Sequence, residues 1–281
     1  QIIMNEEMGR IGAPQLCTVH GLNHLGPILI EFGTEEQKAK YLPPIIEGDI
    51  IWAEGYSEPN SGSDLASLRT KAERVGDEYI VNGQKIWTTF GHYSDWIFCL
   101  VRTDPDAKPK QAGIGFLLFD LKSPGVTVRP ITTIAGDDEF SECFFEDVHV
   151  PAENMVGDAG EGWRIANAVL MHERFNSGNP YLNFKALERV HKVARATGAM
   201  DDPAFRDRLA DLEIRAVAFS ALFDHAVELT RAERPPGPAA SIMKINGKET
   251  LMEIACLLFE AAGAQAPGTA LVDTPEGPID V

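Results

Sequence analysis

The apolar positions change their period twice along the chain. Over residues 1–49 they read as helix and connection. Gly33 stops one segment, and Thr34, three before Gln37, supplies a capping box for a helix through Tyr41 that Pro43-Pro44 should end. From Ile50 to Val150 the pattern shifts to short runs of β-branched and aromatic residues. Strands are expected over Ile50–Tyr56, Arg69–Val75, Glu78–Val81, Trp96–Thr103, Ile114–Leu121, Val126–Ile131 and Glu142–Val150. Gly76-Asp77 is a hairpin signal, Asn82-Gly83 a second turn signal, and Asp104 to Gln111 a loop rich in proline and charge. Beyond Pro151 a helical period returns. Asp158, three before Glu161, caps a helix through Arg174, which Gly178 and Pro180 should kink or split. Asp202-Pro203 opens another that stops at Pro235-Pro236-Gly237-Pro238, and a last one runs from Ala239 to Ala262, ended by Gly263.

Short strands with close turns and no helix between them argue an antiparallel barrel or sandwich, and three long amphipathic segments argue a bundle. The expected fold class is α+β multidomain. An N-terminal helical segment covers 1–49, a central antiparallel β-barrel or sandwich 50–155, and a C-terminal helical bundle 156–281.

Composition narrows this little. With 281 residues, 44% of them apolar, the chain can bury sizeable cores, and no apolar run approaches the length of a spanning helix. A net charge of −17 argues against nucleic acid and obliges a polyanionic ligand to find a local basic pocket. Most of that charge reads as solubilising. Cys17, Cys99, Cys143 and Cys256 are far apart and form no C-x-x-C, so reduced, buried thiols and a cytoplasmic location are expected. The chain begins at Gln1 without an initiator Met, and nothing there resembles a targeting segment.

The densest candidate chemistry is Trp52-Ala53-Glu54-Gly55-Tyr56-Ser57-Glu58-Pro59-Asn60-Ser61-Gly62-Ser63-Asp64. A strand breaks at Pro59 and enters small side chains, hydroxyls and free backbone N–H groups. That suits a loop closing on a polar ligand, although plain connections share the composition. His20 and His24, four apart, invite a metal reading. Gly21 stands where the zincin pattern wants glutamate, so ordinary packing and no metal are expected. On the helix after Pro151, Trp163, Ala166, Leu170 and Glu173 follow i, i+3, i+7, i+10. Glu173 therefore lies on an apolar stripe, where desolvation favours a base working near neutral pH; an ion pair with Arg174 is the plainer alternative.

Further on comes Asn82-Gly83-Gln84-Lys85-Ile86-Trp87-Thr88-Thr89-Phe90-Gly91. Together the two stretches resemble the flavin-binding signatures of the acyl-CoA dehydrogenases, a serine-glutamate-proline-x-x-glycine-serine-aspartate loop and a tryptophan-x-threonine strand. The likeness runs from Gly33-Thr34-Glu35-Glu36-Gln37-Lys38 to Ala261-Ala262-Gly263. It implies FAD as cofactor and α,β-dehydrogenation of an acyl-CoA thioester, as in β-oxidation, with electron-transferring flavoprotein as acceptor. It puts Tyr56 and Ser57 against the isoalloxazine ring, the Ser57 hydroxyl donating to it, and Trp87, Thr88 and Thr89 on the other side. Alternation across Thr88 places Trp87 and Thr89 on one strand face. Ser63 matches the serine that contacts the CoA portion. The family's base is either a late glutamate in a Glu-Gly-Thr segment, which would fall beyond Val281, or a glutamate on this bundle helix. His172-Glu173-Arg174 matches the second, with Glu173 as base and Arg174 as the neighbouring substrate contact.

Departures from the pattern bear on assembly. Leu187-Glu188-Arg189-Val190-His191-Lys192-Val193-Ala194-Arg195 lacks the Arg-x-x-Phe-Gly element of the homotetramers, and the later Gly-Gly element is reduced to Glu260-Ala261-Ala262-Gly263. The chain is thus similar to subunits of heteromeric acyl-CoA dehydrogenases, which share flavin with a second kind of chain and act on bulky or dicarboxylic acyl-CoAs. The partners implied are an acyl-CoA, electron-transferring flavoprotein and further acyl-CoA dehydrogenase-like chains in a homo- or hetero-oligomer, with no nucleic acid or membrane. A non-catalytic flavin-sharing subunit, or a flavin oxidase or monooxygenase on the same fold, are the alternatives.

Overall fold

A computed structural model describes residues 18–232, 234, 237–263, 271–275 and 277–280. Two compact units divide them, one ending at Glu173 and the other beginning at Arg174.

The first unit opens with a π-helical turn, His20–Leu25, and the helix α1, Gly26–Phe32, which ends at Gly33. Helix α2, Glu35–Glu47, begins with the expected capping box: the Gln37 N–H donates to Thr34 Oγ1 at 3.2 Å, and the Thr34 N–H donates to Gln37 Oε1 at 3.1 Å. It does not stop at Pro43-Pro44. Both prolines lie inside the helix, which ends one turn later at Gly48 in the left-handed conformation. Burial of Tyr41 and Ile45 on one face outweighs the two missing N–H donors.

The sheet contains β1 Trp52–Gly55, β2 Lys71–Val75, β3 Glu78–Thr89, β4 Trp96–Arg102, β5 Ile114–Asp120, β6 Val126–Ile131, β7 Phe140–Pro151 and β8 Met155–Val156. Its order is β6-β7-β3-β2-β4-β5-β8, with β1 beside β4. Pairing is antiparallel except for β1 and β2 against β4. The path is open, so no barrel closes, but both faces are covered. On β4, Phe98 and Leu100 enter one apolar cluster with Leu25, Ile28, Tyr41 and Trp52, while Ile97, Cys99 and Val101 enter a second with Val81, Phe119 and Phe145. A strand buried on both faces loses its alternation, which is why β4 and β5 read as unbroken apolar runs.

The hairpin at Gly76-Asp77 forms as expected, Val75 opposing Glu78. The second turn does not. Strand β3 runs straight through Asn82-Gly83 with a register shift, because Gly83 lies against another backbone: a Cβ there would sit 2.6 Å from Thr70 Cα.

Helix α3, Gly162–Ser177, follows Glu161, whose carboxylate accepts the Asp158 N–H at 3.0 Å. Its first residue touches β5 so closely that a Cβ on Gly162 would lie 2.5 Å from the Gly115 carbonyl carbon. This contact fixes the helix against the sheet. Ile165, Ala166 and Val169 then enter the Trp52 cluster.

The second unit holds α4 Tyr181–Thr197, α5 Pro203–Arg231 and α6 Pro238–Ala262, so the chain is split at 178–180. Asp202 caps α5, accepting the Ala204 N–H at 2.9 Å. Leu187, Val190, Phe205, Leu209, Leu212, Ile254 and Leu257 form its core, and a short hairpin, β9 Leu271–Thr274 with β10 Gly277–Asp280, adds Val272. Cys99 and Cys143 are buried, whereas Cys256 is exposed; Cys17, Pro235 and Pro236 lie outside the described residues. Among the described residues no helix is long and apolar enough to cross a membrane.

Candidate functional site

The loop after β1 is held by a buried ion pair that the sequence reading overlooked. Lys85 is fully buried in β3 and donates to Glu58 Oε1 at 2.8 Å and to the Tyr56 carbonyl at 3.0 Å. Glu58 also accepts the backbone N–H groups of Arg69 at 2.7 Å and Thr70 at 2.8 Å. Burial alone would raise the Glu58 pKa, but Lys85 and the Thr70 contacts hold it below the ordinary carboxylate range. The Ile86 N–H donates to the Ser57 carbonyl at 2.9 Å, so the loop is stitched to β3 at both Lys85 and Ile86. Arg102 closes the far end, donating to the carbonyls of Ala66 and Leu68. A signal was present in the sequence: Lys85 keeps phase with Tyr79 and Val81, and a lysine in a buried phase needs a carboxylate.

Among the described residues the Ser57 hydroxyl has no partner, and Ser63 is exposed on the same loop. Trp87 interrupts β3 at a second register shift, between Lys85 and Thr88, with φ of +61°. Strict alternation therefore fails at Trp87. It is 57% exposed, which excludes a core role, and its ring meets Phe140 edge to face with centroids 6.0 Å apart. An exposed indole held on a strained bulge is a flat surface for a planar ring. Thr88 is buried beside the Cys143 thiol, which burial pushes up to about 11 while the Thr88 hydroxyl pulls it down. Thr89 is half-buried next to it. An unpaired hydroxyl on one stretch and an exposed indole on the other suit a flavin in donor type and shape.

Glu173 is half-buried and lies one turn beyond Val169. The buried stripe of α3 runs through Ile165, Ala166 and Val169, with Trp163 and Leu170 at its margin, so Glu173 continues it from Val169 and Ala166. Its charge bears on the Tyr56 hydroxyl, whose pKa burial raises well above the ordinary value, reinforced by Glu54, Glu173 and Cys99. Arg174 follows on the same helix and is also half-buried.

His20 and His24 share a face, their ring centroids 5.2 Å apart. His24 Nδ1 lies 3.1 Å from Glu54 Oε2, and one potential ligand atom from each of His20, His24 and Glu54 falls within 4.8 Å of the others. Burial, with His24 adding to it, lowers the His20 pKa to about 4.

Comparison with known proteins brings in the whole chain. Sequence profiles of the acyl-CoA dehydrogenase N-terminal, middle and C-terminal domains match residues 1–49, 53–148 and 160–272. The chain is similar to acyl-CoA dehydrogenase IpdE1 of Mycolicibacterium smegmatis, 38% identical over 94% of this chain and 69% of that one. It is also similar to IpdE1 of Mycobacterium tuberculosis, 44% identical over 74% of this chain; there the aligned region spans about half of the relative, 54%. Among solved structures, it resembles a chain of the ChsE4-ChsE5 complex from Mycobacterium tuberculosis, with a TM-score of 0.82, 35% identity, and coverage of 95% of this chain and 69% of that one. The Tcur3481-Tcur3483 steroid ACAD G363A variant superposes with a TM-score of 0.86, 34% identity, and coverage of 94% and 69%.

Proposed function

Because this chain belongs to the acyl-CoA dehydrogenase family, we propose that it carries out the FAD-dependent α,β-dehydrogenation of an acyl-CoA thioester to the trans-2-enoyl-CoA, with Glu173 as base. The observation that carries the reading is the position of Glu173 at the end of the buried α3 stripe, with its charge bearing on buried Tyr56. A half-buried carboxylate there is a candidate to take the α-proton.

FAD would supply the hydride acceptor when bound. Ser57 would donate to it, Trp87 would present its exposed ring as a stacking surface, and Tyr56, Thr88 and Thr89 would complete the wall. The Lys85–Glu58 pair holds the loop that presents Tyr56 and Ser57, so that their positions are set before any ligand arrives. Ser63 would meet the CoA portion, and Arg174 the substrate beside the base. Electron-transferring flavoprotein is the acceptor implied by the family.

The ChsE4-ChsE5 complex and the Tcur3481-Tcur3483 steroid ACAD are each named for two chains, which supports a hetero-oligomer acting on a bulky acyl group. A flavin-sharing partner subunit is the second reading, favoured by the same neighbours.

The test is the visible spectrum of the purified chain, alone and with a neighbouring homologue, during anaerobic titration with acyl-CoAs. Glu173→Gln should keep the flavin spectrum and slow bleaching by about 10²- to 10⁴-fold. Undiminished bleaching would assign the base elsewhere.

A further inference from the structure

The π-helical turn His20–Leu25 brings two imidazoles against the strand beside it. His20 and His24 are both more than nine-tenths buried. His24 Nδ1 lies 3.1 Å from Glu54 Oε2 on β1, and one ligating atom from each of the three side chains falls within 4.8 Å of the others. The turn is pressed onto its surroundings: a Cβ on Gly21 would sit 3.1 Å from Trp52 Cδ1 and 3.4 Å from Ile45 Cγ2. It is closed by the Gly26 N–H, which donates to the Gly21 carbonyl. Such turns are rare and are found mostly at functional sites. The His24–Glu54 contact accounts for two of the three groups. It leaves His20, whose Nδ1 is buried without a partner, and buried polar atoms are seldom left open.

The donor set selects the occupant. Two imidazoles and one carboxylate suit a borderline divalent ion such as zinc, whereas calcium and magnesium take oxygen ligands. Burial favours the uncharged imidazoles that ligation requires. Glu54 supplies negative charge, and among the described residues it pairs with no lysine or arginine. Bonds of about 2.1 Å in a tetrahedron put ligand atoms about 3.4 Å apart, so His24 and Glu54 already stand near ligating distance. The 4.8 Å limit on the cluster leaves His20 to close by no more than about 1.4 Å. Gly21 occupies the place of the glutamate that serves as base in helix-borne zinc hydrolases, so the turn is built to hold an ion rather than to hydrolyse.

We propose that His20, His24 and Glu54 bind a zinc-type divalent ion, with water at the fourth position, and that the ion ties the π-helical turn to β1. The site is independent of the reaction proposed above.

The test uses the full chain without a histidine tag, stripped with a chelator, reloaded with zinc chloride and desalted. Elemental analysis should find about one zinc per chain, and the melting temperature should rise by about 5 °C at about a hundredfold excess of zinc over Kd. His20→Phe and His24→Phe should lose the retained zinc. Glu54→Gln should weaken its binding by at least about tenfold, since even an outer partner of a ligand is worth that much. His149→Gln is the control, because His149 and Glu78 form an exposed imidazole–carboxylate pair at 2.9 Å, and it should retain the zinc in full. Where a ligand variant does not fold, cobalt(II) in the wild type decides. It should give the strong visible bands of a low-coordinate nitrogen and oxygen site, without a thiolate charge-transfer band. No retained zinc, zinc retained equally by all three ligand variants, or zinc lost in His149→Gln would overturn the assignment. A pale octahedral cobalt spectrum would overturn it too, as would a thiolate band, which would place the ion at a cysteine such as exposed Cys256.

Discussion

Lys85 and Glu58 show how a single pair sets the candidate site. Each is buried, and each would be costly alone; together they tie the loop after β1 to β3. Lys85→Met should destabilise the protein by about 3–5 kcal/mol at neutral pH, since it strands a buried carboxylate. The pH dependence of that deficit is also determined. In the wild type the folded-state pKa of Glu58 is lowered, so its contribution is present above the ordinary carboxylate pKa and is lost as pH falls through and below it. In Lys85→Met the lowering charge is gone and burial raises the pKa instead. The deficit should therefore shrink on acidification, as Glu58 takes up a proton. Denaturant midpoints across the acid range check this, and a deficit that grows toward low pH would contradict it.

At the scale of elements, the register shift that carries Trp87 matters most. A bulky residue at positive φ costs about 1–3 kcal/mol, and such strain persists where the surroundings impose it. Trp87→Gly relieves the backbone but loses the contact with Phe140. Stability of the flavin-free chain should change by less than about 1 kcal/mol, while flavin retention through gel filtration falls. Unchanged retention would remove Trp87 from the flavin site. Elements were legible wherever the signal was local. The capping box at Thr34, the hairpin at Gly76-Asp77 and the cap at Asp202 rest on contacts between near neighbours in sequence. The helix through Pro43-Pro44 and the strand through Asn82-Gly83 were not legible, because distant burial and the Thr70 backbone overrode the local cue.

At the scale of the molecule, a net charge of −17 acts against compactness through self-repulsion. The melting temperature should rise between about 0.01 M and about 0.15 M salt as the screening length shortens. A fall would mean that attractive pairs such as Arg208–Glu260 and Arg215–Glu253 outweigh the repulsion.

The sequence by itself determined the family, the order of helix, sheet and bundle, and the residues that carry its motifs, because these depend on residue type and near spacing. Only tertiary structure decided that Lys85 meets Glu58, that Trp87 stands exposed on a bulge, and that His24 meets Glu54. Those partners are brought together by the pairing of β3 with its neighbours and by the packing of the π-helical turn on β1, and a buried polar atom shows its need only once its surroundings are closed.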